Sequence, residues 1–130
     1  MGILDRLLVG GAVALAGFGI TKVVQASKEE ARRRSTPPEF DSRLTQHDFT
    51  TMASNLAQKT PRVFGAVTDG LVVTIFVRSN SGLTTWSAEL DFNDYGRATG
   101  RYWIRTENAQ SPIPELIANS LRDQIVQRTA

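Results

Sequence analysis

The stretch Leu7 to Ile20 (LLVGGAVALAGFGI) holds no polar side chain, and it constrains this 130-residue chain more than any other feature. A helix built from it is apolar on every face, so it cannot be the one-sided helix of an ordinary globular surface. Continuing through Thr21, Lys22, Val23 and Val24 brings it to the lower edge of the roughly 17–25 residues that cross a bilayer core. Crossing then requires Lys22 to carry its ammonium out to the headgroups on its long stem. The sequence therefore predicts an apolar helix within residues 1–27, anchored by Leu7, Leu8, Val9, Val13, Leu15, Phe18 and Ile20. Two other uses of the segment stay open. Val24-Gln25-Ala26 has the small-x-small form of a signal-peptide cleavage site, which would release an exported domain. The second is a helix that packs against its own domain or a protein partner.

Charge around the segment gives a direction. Arg6 lies before it and is offset by Asp5, whereas Lys22, Lys28, Arg32, Arg33 and Arg34 follow it. A Lys/Arg excess on the C-terminal side favours a single-pass arrangement with the folded domain in the cytoplasm. The same five residues form an expected lipid-headgroup cluster, each worth about 1 kcal/mol near an anionic surface. Solvated helix-end charges beside Glu29 and Glu30 are the plainer alternative. Within the helix, Gly10, Ala14, Gly17 and Thr21 recur at spacings that share one face. A small-residue stripe of this kind lets two membrane helices approach closely, so homo-oligomerisation through this face is an expectation.

Composition removes several function classes. The chain has no cysteine and one histidine, His47, which excludes disulfides, thiolate metal sites and cysteine nucleophiles. Residues 1–34 hold six Lys/Arg against three Asp/Glu, and residues 35–130 hold nine against ten. The folded body thus lacks the basic excess of a nucleic-acid-binding surface. No nucleic-acid partner is expected.

Pro37-Pro38 interrupts helical continuation and, with the basic run before it, marks residues 28–44 as a linker. A small domain follows over 45–130. Thr45 and Asp48 have capping-box spacing, and Phe49, Met52, Ala53, Leu56 and Ala57 make one apolar helical stripe up to Thr60-Pro61. Four strands are expected at Val63–Thr68, Leu71–Arg78, Leu83–Phe92 and Ala98–Arg105. Asp69-Gly70, Asn80-Ser81-Gly82 and Asn93-Asp94-Tyr95-Gly96 mark the turns. Connections so short force antiparallel neighbours. Ser111 and Pro112 then open a last helix, with Ile113, Leu116, Ile117, Leu121 and Ile125 on its apolar side. The expected fold class is α+β: an N-terminal apolar helix, then a helix, a four-stranded antiparallel meander and a C-terminal helix, in two layers with both helices on one face.

No segment carries a catalytic signature, and no cofactor or metal is expected. Asp91 to Gly96 resembles the start of a calcium loop, but Tyr95 stands at the fifth position and Tyr102 at the twelfth, where oxygen ligands are needed. His47 beside Asp48 invites a general-base reading, yet no nucleophile elbow or phosphate loop accompanies it. The informative pattern is strand alternation, which gathers Phe76, Arg78, Glu89, Asp91, Arg101, Trp103 and Arg105 on the sheet face away from the helices. Aromatics among arginines have the character of a partner-binding surface. Cross-strand Glu/Arg pairing alone would give the same composition. These features together predict a non-enzymatic, membrane-anchored adaptor or accessory subunit that binds a protein partner.

Overall fold

The computed structural model describes the backbone of residues 20–130 and the side chains of residues 28–130. The anchor residues Leu7 to Phe18 and the Gly10/Ala14/Gly17 stripe lie outside the described residues; Ile20 and Lys22 are described by backbone only. Among the described residues, no helix is long and apolar enough to cross a membrane. Residues from Arg33 onward form one compact unit, and those up to Arg32 belong to another.

The first described helix, α1, spans Ile20–Ser35. The expected linker therefore begins as helix, and its basic run stays helical until Thr36-Pro37-Pro38. A residue before proline is pushed out of the helical region, and proline has no N–H to continue the ladder. An extended strap then leads to α2 (Gln46–Lys59).

The start of α2 follows its sequence closely. The Thr45 hydroxyl accepts from the Asp48 N–H at 3.0 Å, and the Asp48 carboxylate accepts from the Thr45 N–H at 3.1 Å. Two otherwise orphaned donors are satisfied reciprocally. These bonds, the one from the Thr45 backbone foremost, hold the Asp48 carboxyl below its ordinary value. Phe49, Met52, Ala53 and Ala57 are buried on one side of α2.

Four strands follow: β1 (Val63–Asp69), β2 (Val72–Arg78), β3 (Thr85–Asp91) and β4 (Trp103–Thr106). They pair in sequence order, all antiparallel. The expected fourth strand is shortened because Asp94 and Arg97 bridge in a tight turn and Gly100 takes a φ of +97°. The first hairpin also turns one residue later than Asp69-Gly70 suggested. Asp69 pairs with Val72, leaving Gly70 (φ +61°) and Leu71 as the central residues. A left-handed first central residue is the II′ arrangement, which glycine adopts without a side-chain clash.

The last helix, α3 (Ile113–Thr129), begins with Pro112 as N-cap and without a side-chain cap. Ser111, the expected N-cap, still accepts the Ile113 N–H at 3.3 Å through its hydroxyl. Ile113, Ile117, Ala118, Leu121 and Ile125 are buried, while Leu116, expected on the apolar side, is 59% exposed. Helices α2 and α3 cover one face of the sheet. Between them and the strands, Phe49, Leu71, Val73, Ile75, Val77, Leu90, Phe92 and Leu121 form a fully buried core. Phe49 meets the edge of Phe92, ring centres 5.9 Å apart, and Tyr102 reaches over Phe92 to donate to Asn119 at 2.7 Å.

Candidate binding face

Side chains alternate across a strand, so filling the helix-covered side of the sheet with β2's odd-numbered residues turns its even-numbered ones to the far side. The register aligns Val72, Asp91 and Trp103 in one row and Thr74, Glu89 and Arg105 in the next; Phe76 faces Ser87, and Arg78 faces Thr85. Phe76, Arg78, Glu89, Trp103 and Arg105 thus share one face. Arg101 precedes β4 as an exposed side chain whose guanidinium lies 5.1 Å from the Trp103 ring centre.

This face is not uniformly open. At the Asp91–Trp103 end the last turn of α1 closes over it. Arg33 is 4% exposed, and its guanidinium lies 3.7 Å above the Trp103 ring. One nitrogen donates to the Asn93 carbonyl and another to Asp91 Oδ2 at 3.2 Å. Asp91 is itself 1% exposed, with Arg34 Nε at 3.5 Å and Arg105 Nη2 at 3.8 Å. Glu89 accepts from Arg105 at 3.0 Å. Taking a carboxylate and a guanidinium out of water costs several kcal/mol per ion, so each requires the other. A planar guanidinium on an indole face adds attraction and packing that an ammonium would not match.

The chain after Arg33 is held by the β3–β4 turn. The Asn93 amide donates to the carbonyls of Arg34 (3.2 Å) and Thr36 (2.9 Å), and its Oδ1 accepts from the Gly96 N–H. The Gly96 carbonyl accepts from the Glu39 N–H at 2.6 Å. Gly96 has a φ of +88°, and a Cβ there would fall 2.7 Å from the Pro37 carbonyl oxygen. The calcium-like segment Asp91–Gly96 therefore serves as a clasp around residues 33–39.

Of the residues expected at a headgroup surface, Arg33 is buried and Arg34 lies beside Glu89 and Asp91. Lys28 and Arg32 are exposed, with Arg32 paired to Glu29 at 3.0 Å. Asp91 and Trp103, expected on the same open face, lie beneath Arg33.

The opposite end of the face is uncovered by any described residue and is apolar. Phe64 and Phe76 lie 6.3 Å apart, with Arg78 4.7 Å over the Phe64 ring. Phe64 is 49% exposed and Val67 59%. Neither residue stood out in the sequence, because a bulge between Val63 and Gly65 breaks the alternation and swings Phe64 to the far face. The signal that was available is Gly65, which faces Phe76 and leaves room for a second ring beside it.

His47 is exposed, and the Asp48 carboxylate is engaged by Thr45 and by Arg128 at 3.1 Å. No group of three or more His, Asp or Glu is placed to hold a metal among the described residues. A shallow cleft of about 470 Å³ beside β4 is lined by Arg101, Tyr102, Trp103, Arg122 and Val126 together with Thr99 and Gly100. Compared with family models, curated proteins and solved structures, the chain matches none.

Proposed function

We propose that this protein is a non-enzymatic adaptor or accessory subunit. An apolar helix within residues 1–27 holds it at a membrane, and its α+β domain, on the cytoplasmic side, binds a protein partner through the far face of the sheet. The observation that carries the binding role is exposed Phe64 and Val67 beside Arg78 and half-buried Phe76. Large apolar side chains rimmed by arginine are the residue types that dominate interface energetics. The location rests on the apolar run and the basic residues behind it, of which Lys28 and Arg32 remain solvent-facing.

Phe64→Ser with Phe76→Ser tests the binding role. A folded double variant is expected to lose the partner that co-purifies with the native chain, and full retention would overturn the role. Carbonate and detergent fractionation tests the location. A chain wholly soluble without detergent would remove the anchor from the proposal and leave the binding face to stand or fall by the double variant.

A further inference from the structure

The two edges of the sheet differ. β4 is four residues long, whereas β1 runs for seven residues with no lysine or proline and one charge, Asp69. Natural sheets blunt their edges with short strands, charges, prolines or bulges. In β1 the bulge is confined to the Val63/Gly65 end and leaves Gly65–Asp69 in regular register with β2.

The hydrogen-bond pattern identifies the outward groups. Arg78 N–H donates to the Arg62 carbonyl, and Phe92 N–H to the Leu71 carbonyl. Even-numbered β2 residues therefore bond toward β1 and odd-numbered ones toward β3. The β1 partners of the even-numbered residues, Gly65, Val67 and Asp69, bond inward. That leaves the N–H and C=O groups of Ala66 and Thr68 directed away from the sheet, and β1 has a ladder partner on one side only among the described residues.

We propose that β1 pairs with β1 of a second copy of this chain, antiparallel about a two-fold axis near Ala66, so that two sheets become one. Charge placement selects this occupant. Arg62 and Arg78 stand at one end of the strand and Asp69 at the other. An antiparallel two-fold pairing sets the basic end of each copy against the acidic end of its mate, as a self-complementary interface requires. Shape agrees: Val67 of one copy falls beside Gly65 of the other, where no side chain competes. The contact is distinct from association through the N-terminal helix, and it places two copies of the proposed partner-binding face side by side.

The test is sedimentation of the full-length chain in non-ionic detergent over a range of concentrations, for the native protein, Val67→Lys and Ala66→Pro. The native chain is expected to sediment with twice its own protein mass. Val67→Lys sets like charges close together across the axis, and Ala66→Pro deletes an outward N–H; both are expected to yield monomers with native circular dichroism. If Ala66→Pro does not fold, the solvent-side Val67→Lys decides alone. Because the chain has no cysteine, single substitutions report contact directly. The two copies of position 67 lie diagonally across the axis, so Val67→Cys should be joined by a short bis-maleimide linker, and Leu83→Cys, in the exposed β2–β3 turn, should not. A native monomer throughout the range, a dimer that Val67→Lys leaves intact, or equal cross-linking at both cysteines would overturn the proposal. Loss of the heterologous partner on Phe64/Phe76 substitution with the dimer retained would separate this contact from the binding role.

Discussion

Removing the Arg33 guanidinium should destabilise the domain more than removing any other charged group in residues 33–130. Arg33→Ala leaves the Asp91 carboxylate, 1% exposed, without its closest cation and uncovers the Trp103 ring. Deleting one partner of a buried ion pair costs roughly 3–5 kcal/mol, because the remaining charge stays desolvated. Arg34 and Arg105 at 3.5 and 3.8 Å from the same carboxylate offset part of that loss, and the Asn93 N–H still donates to Asp91 at 2.9 Å. The lower end, about 3 kcal/mol, is therefore expected. In a domain of this size each kcal/mol moves the melting temperature by about 4–8 °C, so Arg33→Ala should melt roughly 12–24 °C lower.

The assay is thermal and urea unfolding of a chain beginning at Ser27, followed by tryptophan emission and circular dichroism. Trp103 lies under Arg33, and a Trp86→Phe background isolates its emission. Asp91→Ala alone should be similarly damaging, while the double variant should be less destabilised than the sum of the two by about 2 kcal/mol. A melting temperature within 2 °C of native for Arg33→Ala, or strict additivity in the cycle, would refute the buried-pair reasoning.

Two further outcomes follow from the same geometry. Gly96→Ala should cost about 2 kcal/mol or more, since a left-handed residue gains a Cβ that meets the Pro37 carbonyl; urea midpoints would show it, and an unchanged midpoint would contradict the close approach. The Asp48 carboxyl, held low first by the Thr45 backbone bond, stabilises the fold above the ordinary aspartate range and loses that contribution as pH falls through its folded value. An NMR titration should place its midpoint below that of a free aspartate, and Thr45→Ala should move it upward while costing about 1 kcal/mol through the lost cap.

Local signals specified most of the architecture. The capping box at Thr45 and Asp48, the apolar stripe of α2, the three turns and the alternation of β2 and β3 each depend on neighbours a few residues apart. They gave the helix–meander–helix order that the structure has. The clasp could not be read in this way. Arg32-Arg33-Arg34 has the composition of a solvated helix end, and the residues that bury its middle member, Asp91 and Trp103, are far away in sequence. Asn93 likewise has turn chemistry in the sequence, whereas its second role is to bind carbonyls nearly sixty residues earlier. Phe64 was hidden for a different reason: one bulged residue shifts the parity on which strand faces are assigned. The compact unit that holds the sheet begins at Arg33.

The central claim, a partner bound at the apolar end of the far sheet face, is tested most directly by photo-cross-linking in intact cells. A benzophenone side chain would be placed at Phe64, and in a separate chain at Leu116, which is more exposed than Phe64 but lies on α3. The account predicts a discrete heterologous adduct from position 64 that Arg78→Glu abolishes, and none of that mass from position 116. Adducts of the same mass at both positions, or none at position 64, would contradict it.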